Sequence, residues 1–255
     1  MNRKLILGAL IGATAVVALP QAANAATCTY DGATKRMDVR YSAGESSVTI
    51  KPGNTLQFSD GGLLRTCFDP ATGKAATGSN TVKLVVKGVS GTGPQSQTTF
   101  LDETGASLID LNRQLDMFVL TGTNDRLVIK KGARNDSVRL QDGLGPEVDL
   151  DYNNENDVHM TTSDTTVEVD GGAGNDLVDA SSVRFYNTDQ LGEGGNDVLV
   201  GGAMKDALFG LADADILFSD GDAGQNDIVN GGEGSDRGKV DFAFDQVFSI
   251  EAFNL

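Results

Sequence analysis

No tryptophan occurs in this chain, and only four tyrosines do. A cleft that stacks sugar rings on aromatic faces is hard to build from such a set. The single histidine, His159, has no second one with which to share a metal, and it falls in a strand-like segment, so it reads as a surface or packing residue. The two cysteines, Cys28 and Cys67, form no Cys-x-x-Cys, which speaks against thiol catalysis or a thiolate metal site. Positive charge is scarce: 20 Lys and Arg stand against 36 Asp and Glu, a formal charge of −16. So acidic a chain repels nucleic acid and anionic lipid and attracts cations. No amphipathic stretch of helix length is present, and past the first residues no apolar run is long enough to span a bilayer.

The first residues read as a processing signal. Arg3 and Lys4 precede an apolar run of 15 residues, Leu5 to Leu19, followed by Pro20 and the small-x-small site Ala23-Asn24-Ala25. Cleavage is expected after Ala25, which makes 1–25 a secretory signal peptide and the mature chain extracellular. An uncleaved anchor is disfavoured because a spanning helix needs about 20 residues. A lipoprotein is disfavoured because Thr27 precedes Cys28. Removing the leader moves the formal charge from −16 to −18. In an exported chain the cysteine pair reads as a disulfide, Cys28–Cys67. Closing that loop is worth up to roughly 4 kcal/mol by chain entropy.

The mature chain divides by pattern. Residues 26–79 hold the cysteines and hairpin-like alternation, with Asp31-Gly32 and Pro52-Gly53-Asn54 at the turns, and are expected to form a small β segment or cap. Across 80–170 a short apolar step recurs about every ten residues, as in Phe118-Val119-Leu120, Leu127-Val128-Ile129, Val138-Arg139-Leu140, Val148-Asp149-Leu150, Val158-His159-Met160 and Val167-Glu168-Val169. A β-sandwich also spaces its strands this way. The constant step, and its merging into shorter repeats downstream, favours degenerate coils of a β-solenoid. The repeats fill 171–241, and 242–255 is expected to close the last coil as a capping strand. The fold class is thus all-β, a parallel β-roll or β-solenoid with a small disulfide-linked N-terminal segment.

The clearest repeat is Gly171-Gly172-Ala173-Gly174-Asn175-Asp176-Leu177-Val178-Asp179. Weaker copies start at Gly192, Gly201, Gly210, Asp222 and Gly231, each placing an aspartate where Asp176 stands: Asp197, Asp206, Asp215, Asp227 and Asp236. Asp136, Asp157, Asp176, Asp197, Asp215 and Asp236 are spaced by 21, 19, 21, 18 and 21 residues, so with two steps per coil all six are expected to stack along one edge. Asp206 and Asp227 would stack along the opposite edge, with Asp125 as an outlying member.

This spacing suits calcium, which takes six to eight oxygens at about 2.3–2.6 Å. Inward-pointing carbonyls need backbone angles that glycine adopts cheaply. The turn supplies carbonyls, its aspartate supplies a carboxylate, and the same turn one coil on completes the shell. The candidate ligands are Gly171, Ala173 and Asp176; Gly192, Gly194 and Asp197; Gly201, Ala203 and Asp206; Gly210, Ala212 and Asp215; Asp227; and Gly231, Glu233 and Asp236. Lys205 weakens the case for the Asp206 site. The Asp136 and Asp157 turns lack the glycine pattern and read as metal-free. The competing reading, glycine turns with solvated aspartates, does not account for repeats held in phase. Residues 170–241 carry 15 acids and 4 bases, so these coils are expected to be loose without calcium and ordered with it.

The repeats resemble the nonapeptide of haemolysin-type (RTX-like) calcium-binding proteins, specifically over about 171–241 and more weakly over 118–170. The resemblance implies a parallel β-roll and Ca2+. It implies no activity, since the family spans toxins, proteases, lipases, adhesins and layer proteins. Lys239-Val240-Asp241 to Ile250-Glu251 resembles the closing strand of such rolls, and Cys28-Thr29-Tyr30-Asp31 after a leader resembles small exported actinobacterial members. Many members lack an N-terminal leader and leave by a C-terminal signal, so that export route is in doubt for this chain. The long apolar region of a pore-forming toxin is missing too.

Three functions are therefore compared. A non-enzymatic extracellular calcium-binding protein, structural or adhesive, is favoured because the roll leaves too little chain for a typical catalytic domain. A polysaccharide-active β-helix enzyme with paired carboxylates is the alternative that the missing aromatics oppose. A calcium-triggered self-assembly or partner-binding module is the third, since an open solenoid exposes strand edges. Calcium ions are the expected partner, with self-association or a cell-surface partner open, and neither nucleic acid nor membrane insertion expected.

Overall fold

The computed structural model describes residues 26–41, 47–60, 63–77, 79–87, 97–106, 116–120, 125–153, 155–161, 165–219 and 225–253. The expected signal peptide, 1–25, and Asp222–Gly224 of the fifth repeat lie outside the described residues. Among those described there are strands and no helix, so none could cross a membrane as a helix.

The strands form two sheets between which the chain winds. The first sheet runs, in spatial order, β1 (Thr27–Asp31), β2 (Arg36–Arg40), β6 (Lys83–Lys87), β8 (Asp116–Leu120), β12 (Val158–Met160), β11 (Pro146–Asp149), β10 (Ser137–Asp142), β14 (Leu177–Asp179), β16 (Val198–Val200), β18 (Ile216–Phe218) and β20 (Arg237–Lys239). The second runs β21 (Gln246–Phe248), β19 (Ile228–Glu233), β17 (Ala207–Ala212), β15 (Asn187–Gly194), β13 (Thr165–Asp170), β9 (Asp125–Lys130), β7 (Thr98–Asp102), β3 (Ser47–Lys51), β4 (Gln57–Ser59) and β5 (Arg65–Thr66). From β3 to β21 every neighbouring pair in the second sheet is parallel, the pairing expected of a solenoid.

Parallel winding begins early. β2 already pairs parallel with β6, and β3 with β7. The antiparallel strands β1, β4 and β5 fold back over this end. The Cys28–Cys67 disulfide, with Cα atoms 5.5 Å apart, ties β1 to the segment after β5.

The alternation of apolar residues sets which face is inside. Met37 and Val39, Val48 and Ile50, Leu84 and Val86, Leu127 and Ile129, and Val167 and Val169 are all buried pairs from single strands. Beyond β13, strands β14, β16, β17, β18 and β19 each contribute one buried aliphatic: Val178, Leu199, Leu208, Leu217 and Val229. These are the apolar residues two places after each repeat aspartate, as the sequence predicted. In β20 that place is taken by Gly238, which is buried.

One expectation fails here. The apolar steps at Val138, Val148 and Val158 are not successive half-coils. They belong to a three-strand antiparallel meander, β10–β11–β12, which widens the first sheet while β9 and β13 pair directly in the second. The reversal sits at Gly143-Leu144-Gly145-Pro146, where the Gly143 amide donates to the Gly145 carbonyl at 2.9 Å. Proline then starts β11, where its missing N–H costs least.

Candidate metal centre

The turns that lead from the second sheet to the first stack in register: 131–136, 171–176, 192–197, 210–215 and 231–236. Their aspartates make a continuous ladder. Asp176 Oδ1 accepts from the Asp136 amide at 2.7 Å, Asp197 Oδ1 from Asp176 at 2.8 Å, Asp215 Oδ1 from Asp197 at 2.8 Å and Asp236 Oδ1 from Asp215 at 2.9 Å. Glu251 ends the ladder, its Oε2 accepting from the Asp236 amide at 2.7 Å. One place before, asparagines form a second ladder: Asn135 Oδ1 accepts from Asn175, Asn175 Oδ1 from Asn196, and Asn196 Oδ1 from Ala214, each at 2.9 Å.

One oxygen of each ladder carboxylate is thus spent on the neighbouring coil. The other, Oδ2 of Asp176, Asp197, Asp215 and Asp236, is buried and makes no hydrogen bond. A carboxylate oxygen left so is costly. Each of these atoms points into the space where a side chain would start at the first glycine of its own turn. At Gly171 that point lies 2.6 Å from Asp176 Oδ2 and 3.1 Å from the Gly192 carbonyl. At Gly192 it lies against Asp197 Oδ2 and 2.8 Å from the Gly210 carbonyl, and at Gly210 against Asp215 Oδ2 and 2.5 Å from the Gly231 carbonyl. At Gly231 it meets Asp236 Oδ2 and the Ser249 carbonyl. The cradle is therefore repeated coil by coil, with one carboxylate oxygen and one carbonyl converging on a place only glycine leaves open. An all-oxygen donor set in glycine turns fits a hard cation such as calcium.

The third-position candidates Ala173, Gly194, Ala212 and Glu233 form a column of their own, paired strand to strand. The Gly194 carbonyl there accepts from the Gly174 amide at 2.7 Å. The second position is left-handed in the four glycine-led turns of this edge: Gly172 at φ 86°, Glu193 at 73°, Leu211 at 80° and Gly232 at 104°.

Burial dominates the electrostatics of this edge. It pushes Asp197 up to about 7 and Asp176 and Asp215 up to about 6, and raises Asp236 as well. Neighbouring carboxylates add to the push: Asp176 and Asp215 act on Asp197, and Asp236 acts on Asp215.

The opposite edge differs at Asp206. Asp206 Oδ1 accepts from the Thr188 amide and hydroxyl, both at 2.8 Å, and its Oδ2 from the Gly202 amide at 2.6 Å. Gly201 lies 2.9 Å from that Oδ2 by the same side-chain measure, and Ala203 bonds to the Val183 carbonyl. Asp227 Oδ1 takes the Asp206 amide at 2.8 Å, and Asp245 Oδ1 takes that of Asp227 at 3.3 Å. Asp125 repeats the bond in the amino-terminal coils, accepting from Gln97 at 2.8 Å.

The expected six-member stack loses one member. Asp157 does not lie between Asp136 and Asp176, because β11 separates β12 from β10. Its carboxylate lies within 4.8 Å of those of Asp149 and Asp151, and its Oδ2 accepts from the Leu150 amide at 2.8 Å. Burial, followed by the Asp151 and Asp149 charges, pushes it up to about 6. Sequence reasoning also missed Glu251, Ser249 and Asp245, which carry the ladders past the last repeat. Ser249 and Asp245 stand 18 residues after Gly231 and Asp227, one coil length on, whereas Glu251 is only 15 after Asp236, and no glycine marks any of the three.

A family model for the RTX calcium-binding nonapeptide repeat matches in four copies, over residues 168–182, 191–225 and 223–237. No curated protein and no solved structure matches the chain. Repeats of this family bind Ca2+. With the glycine cradles and their buried carboxylate oxygens in place, the chain carries haemolysin-type, RTX-like calcium-binding repeats over residues 168–237.

Proposed function

We propose that this is an exported, non-enzymatic calcium-binding scaffold, with a structural or adhesive role outside the cell and carboxyl-terminal coils that order on calcium. The observation that carries the reading is the row of buried, hydrogen-bond-free Oδ2 atoms of Asp176, Asp197, Asp215 and Asp236, each beside a glycine of its own turn. These four oxygens are the proposed carboxylate ligands, joined by carbonyls of their own turn and of the next. Asp206 is proposed to brace its turn instead, since both its oxygens accept amides. Strands of the two sheets run from Thr27 to Phe248, so the described residues are given over to the winding.

The test is a calorimetric calcium titration of the full chain after chelation, followed in parallel by far-UV circular dichroism. Several equivalents per chain with a gain of β signal are expected. Asp197→Ala, in the middle of the ladder, should remove at least one equivalent. No binding at millimolar calcium would sink the reading.

Self-association is the second reading. Phe242, Phe244, Phe248 and Phe253 are exposed at the last coil, an uncommon concentration of large apolar surface. A mass by light scattering that doubles with calcium favours it, and a calcium-independent monomer excludes it.

A further inference from the structure

The first of the stacked turns carries a lysine where the others carry glycine. Strand pairing puts Asp102, Lys130, Asp170 and Leu191 in one column, so the next residues, Glu103, Lys131, Gly171 and Gly192, form another. Amides follow that register: Glu103 donates to the Lys130 carbonyl, Lys131 to that of Asp170 and Gly171 to that of Leu191, each at 2.8 Å. The rest of the turn stacks position for position as well. The Ala173 amide donates to the Gly132 carbonyl at 2.9 Å, Asn175 to Asn135 Oδ1, and Asp136 to Asp176 Oδ1. Lys131-Gly132-Ala133-Arg134-Asn135-Asp136 is therefore the counterpart, one coil earlier, of Gly171-Gly172-Ala173-Gly174-Asn175-Asp176, with lysine at the first glycine and arginine at the fourth-position one.

That replacement puts a cation at the cradle. Lys131 is 4% exposed, and its Nζ lies 2.7 Å from Glu103 Oε2, 3.3 Å from the Leu150 carbonyl and 3.5 Å from Asp136 Oδ1. Two carboxylates and a carbonyl surround it, the same oxygen chemistry that the glycine turns offer a metal. First-position glycines are needed for space and not for left-handed backbone, since none of Gly171, Gly192, Gly210 and Gly231 has a positive φ. A lysine backbone therefore fits there once the aspartate leaves the side-chain path. Asp136 has done so: its side chain is 20% exposed, whereas Asp176 is buried.

We propose that Lys131 is a tethered cation standing in for calcium at the first in-register turn, and that along this edge the residue at this position, glycine or lysine, decides whether a turn takes metal. The metal ladder then starts at Asp176, and the stack of carboxylates is closed from the amino-terminal side by the chain's own ammonium. This rests on the calcium reading above.

The experiment is calcium titration of the full chain as wild type, Lys131→Gly, Lys131→Met, Gly171→Lys and Gly171→Met, with melting of each chelated protein. Lys131→Gly is expected to bind one more equivalent than wild type. Lys131→Met should bind the wild-type number and melt lower in chelator, because Glu103 loses its buried partner. Gly171→Lys should bind one fewer and melt higher in chelator than wild type, a gain that Gly171→Met should not show. Wild-type stoichiometry in a folded Lys131→Gly overturns the proposal. If that variant does not fold, Gly171→Lys decides: an unchanged stoichiometry, or a chelated melting point no higher than that of Gly171→Met, overturns it. Absence of binding in the wild type is a different failure, because it removes the calcium reading and this proposal falls with it.

Discussion

The amino-terminal and carboxyl-terminal coils share one winding and differ in where their counter-charges come from. Up to β13 many acids are met by the chain's own bases, with the Asp149, Asp151 and Asp157 cluster as the exception. Asp38 is paired with Arg36 and Lys87, Asp102 with Lys51, Glu103 with Lys131, and Glu168 and Asp189 with Arg126. Burial works against the Lys131 charge, but Glu103 and then Asp136 outweigh it and hold the ammonium above its ordinary value. These coils also bury two aliphatics on most strands. After Gly171 each strand buries one at most, the bases thin out, and the ladder carboxylates turn a bare oxygen inward. A buried Leu or Val is worth about 1.5–3 kcal/mol, so halving the number per strand removes much of the drive to fold. One half is thus stabilised by what it contains, and the other needs a cation from solution.

The largest expected effect comes from removing that cation. In chelator, hydrogen exchange should lose protection across 171–253 while β2, β3, β6, β7, β9 and β13 keep theirs, and millimolar calcium should restore it. Uniform loss along the chain, or none, would erase the contrast between the two regions. Next in size is the disulfide. Opening Cys28–Cys67 by Cys67→Ser should cost the amino-terminal coils up to about 4 kcal/mol in denaturant melts. Calcium stoichiometry should not change. A change there would mean that the two regions fold as one unit.

Acidity offers a finer test. An unfolded aspartate titrates near 4. Asp176 and Asp215 titrate at about 6 and Asp197 at about 7 in the folded roll, so between roughly pH 4 and 7 the folded state binds more protons. The stability they contribute is full below the unfolded value and is lost as pH rises through the folded ones. Asp38, Asp60 and Asp102 are lowered in spite of burial, by Arg36 and Lys87, by Arg65, and by Lys51 with Thr104 respectively, so they act oppositely and lose stability only below about pH 4. The chelated protein should therefore melt highest near pH 5 and lower at pH 8, and saturating calcium should abolish that fall. A chelated midpoint that rises steadily from pH 5 to 8 would contradict it.

How much of this was legible in the sequence also separates the two regions. The repeats could be read because position and chemistry coincide: a glycine for space, an aspartate for the ladder and an aliphatic two places on. The meander could not. Val138, Val148 and Val158 keep a ten-residue rhythm whether the chain advances to the next coil or doubles back, since either route needs a short strand with a buried apolar face. The signal that separates the routes was Gly143-Leu144-Gly145-Pro146, a hairpin tip inside what read as a coil. Lys131 was hidden for a related reason. Only Gly132, Asn135 and Asp136 of its turn match the repeat, and the 40-residue gap to Asp176 concealed that the two turns are neighbours in space.

The smallest expected effect lies in the second position of the turns. Gly172 and Gly232 meet its left-handed requirement without a Cβ, while Leu211 holds φ 80°. A side chain in that region costs about 1–2 kcal/mol. Glycine gives back roughly 0.5–1 kcal/mol of this through the freedom it has when unfolded. Leu211→Gly should thus stabilise the calcium-loaded roll by about 0.5–1 kcal/mol, a rise of roughly 2–4 °C at most in melting temperature. Gly232→Ala should do the reverse and more, because φ is 104° there and the added carbon runs into the Leu211 carbonyl. If Leu211→Gly instead lowers the melting temperature, the half-buried leucine contributes more by packing than its backbone costs. The carboxyl-terminal coils would then be held by apolar contact more than the comparison with the amino-terminal coils allows.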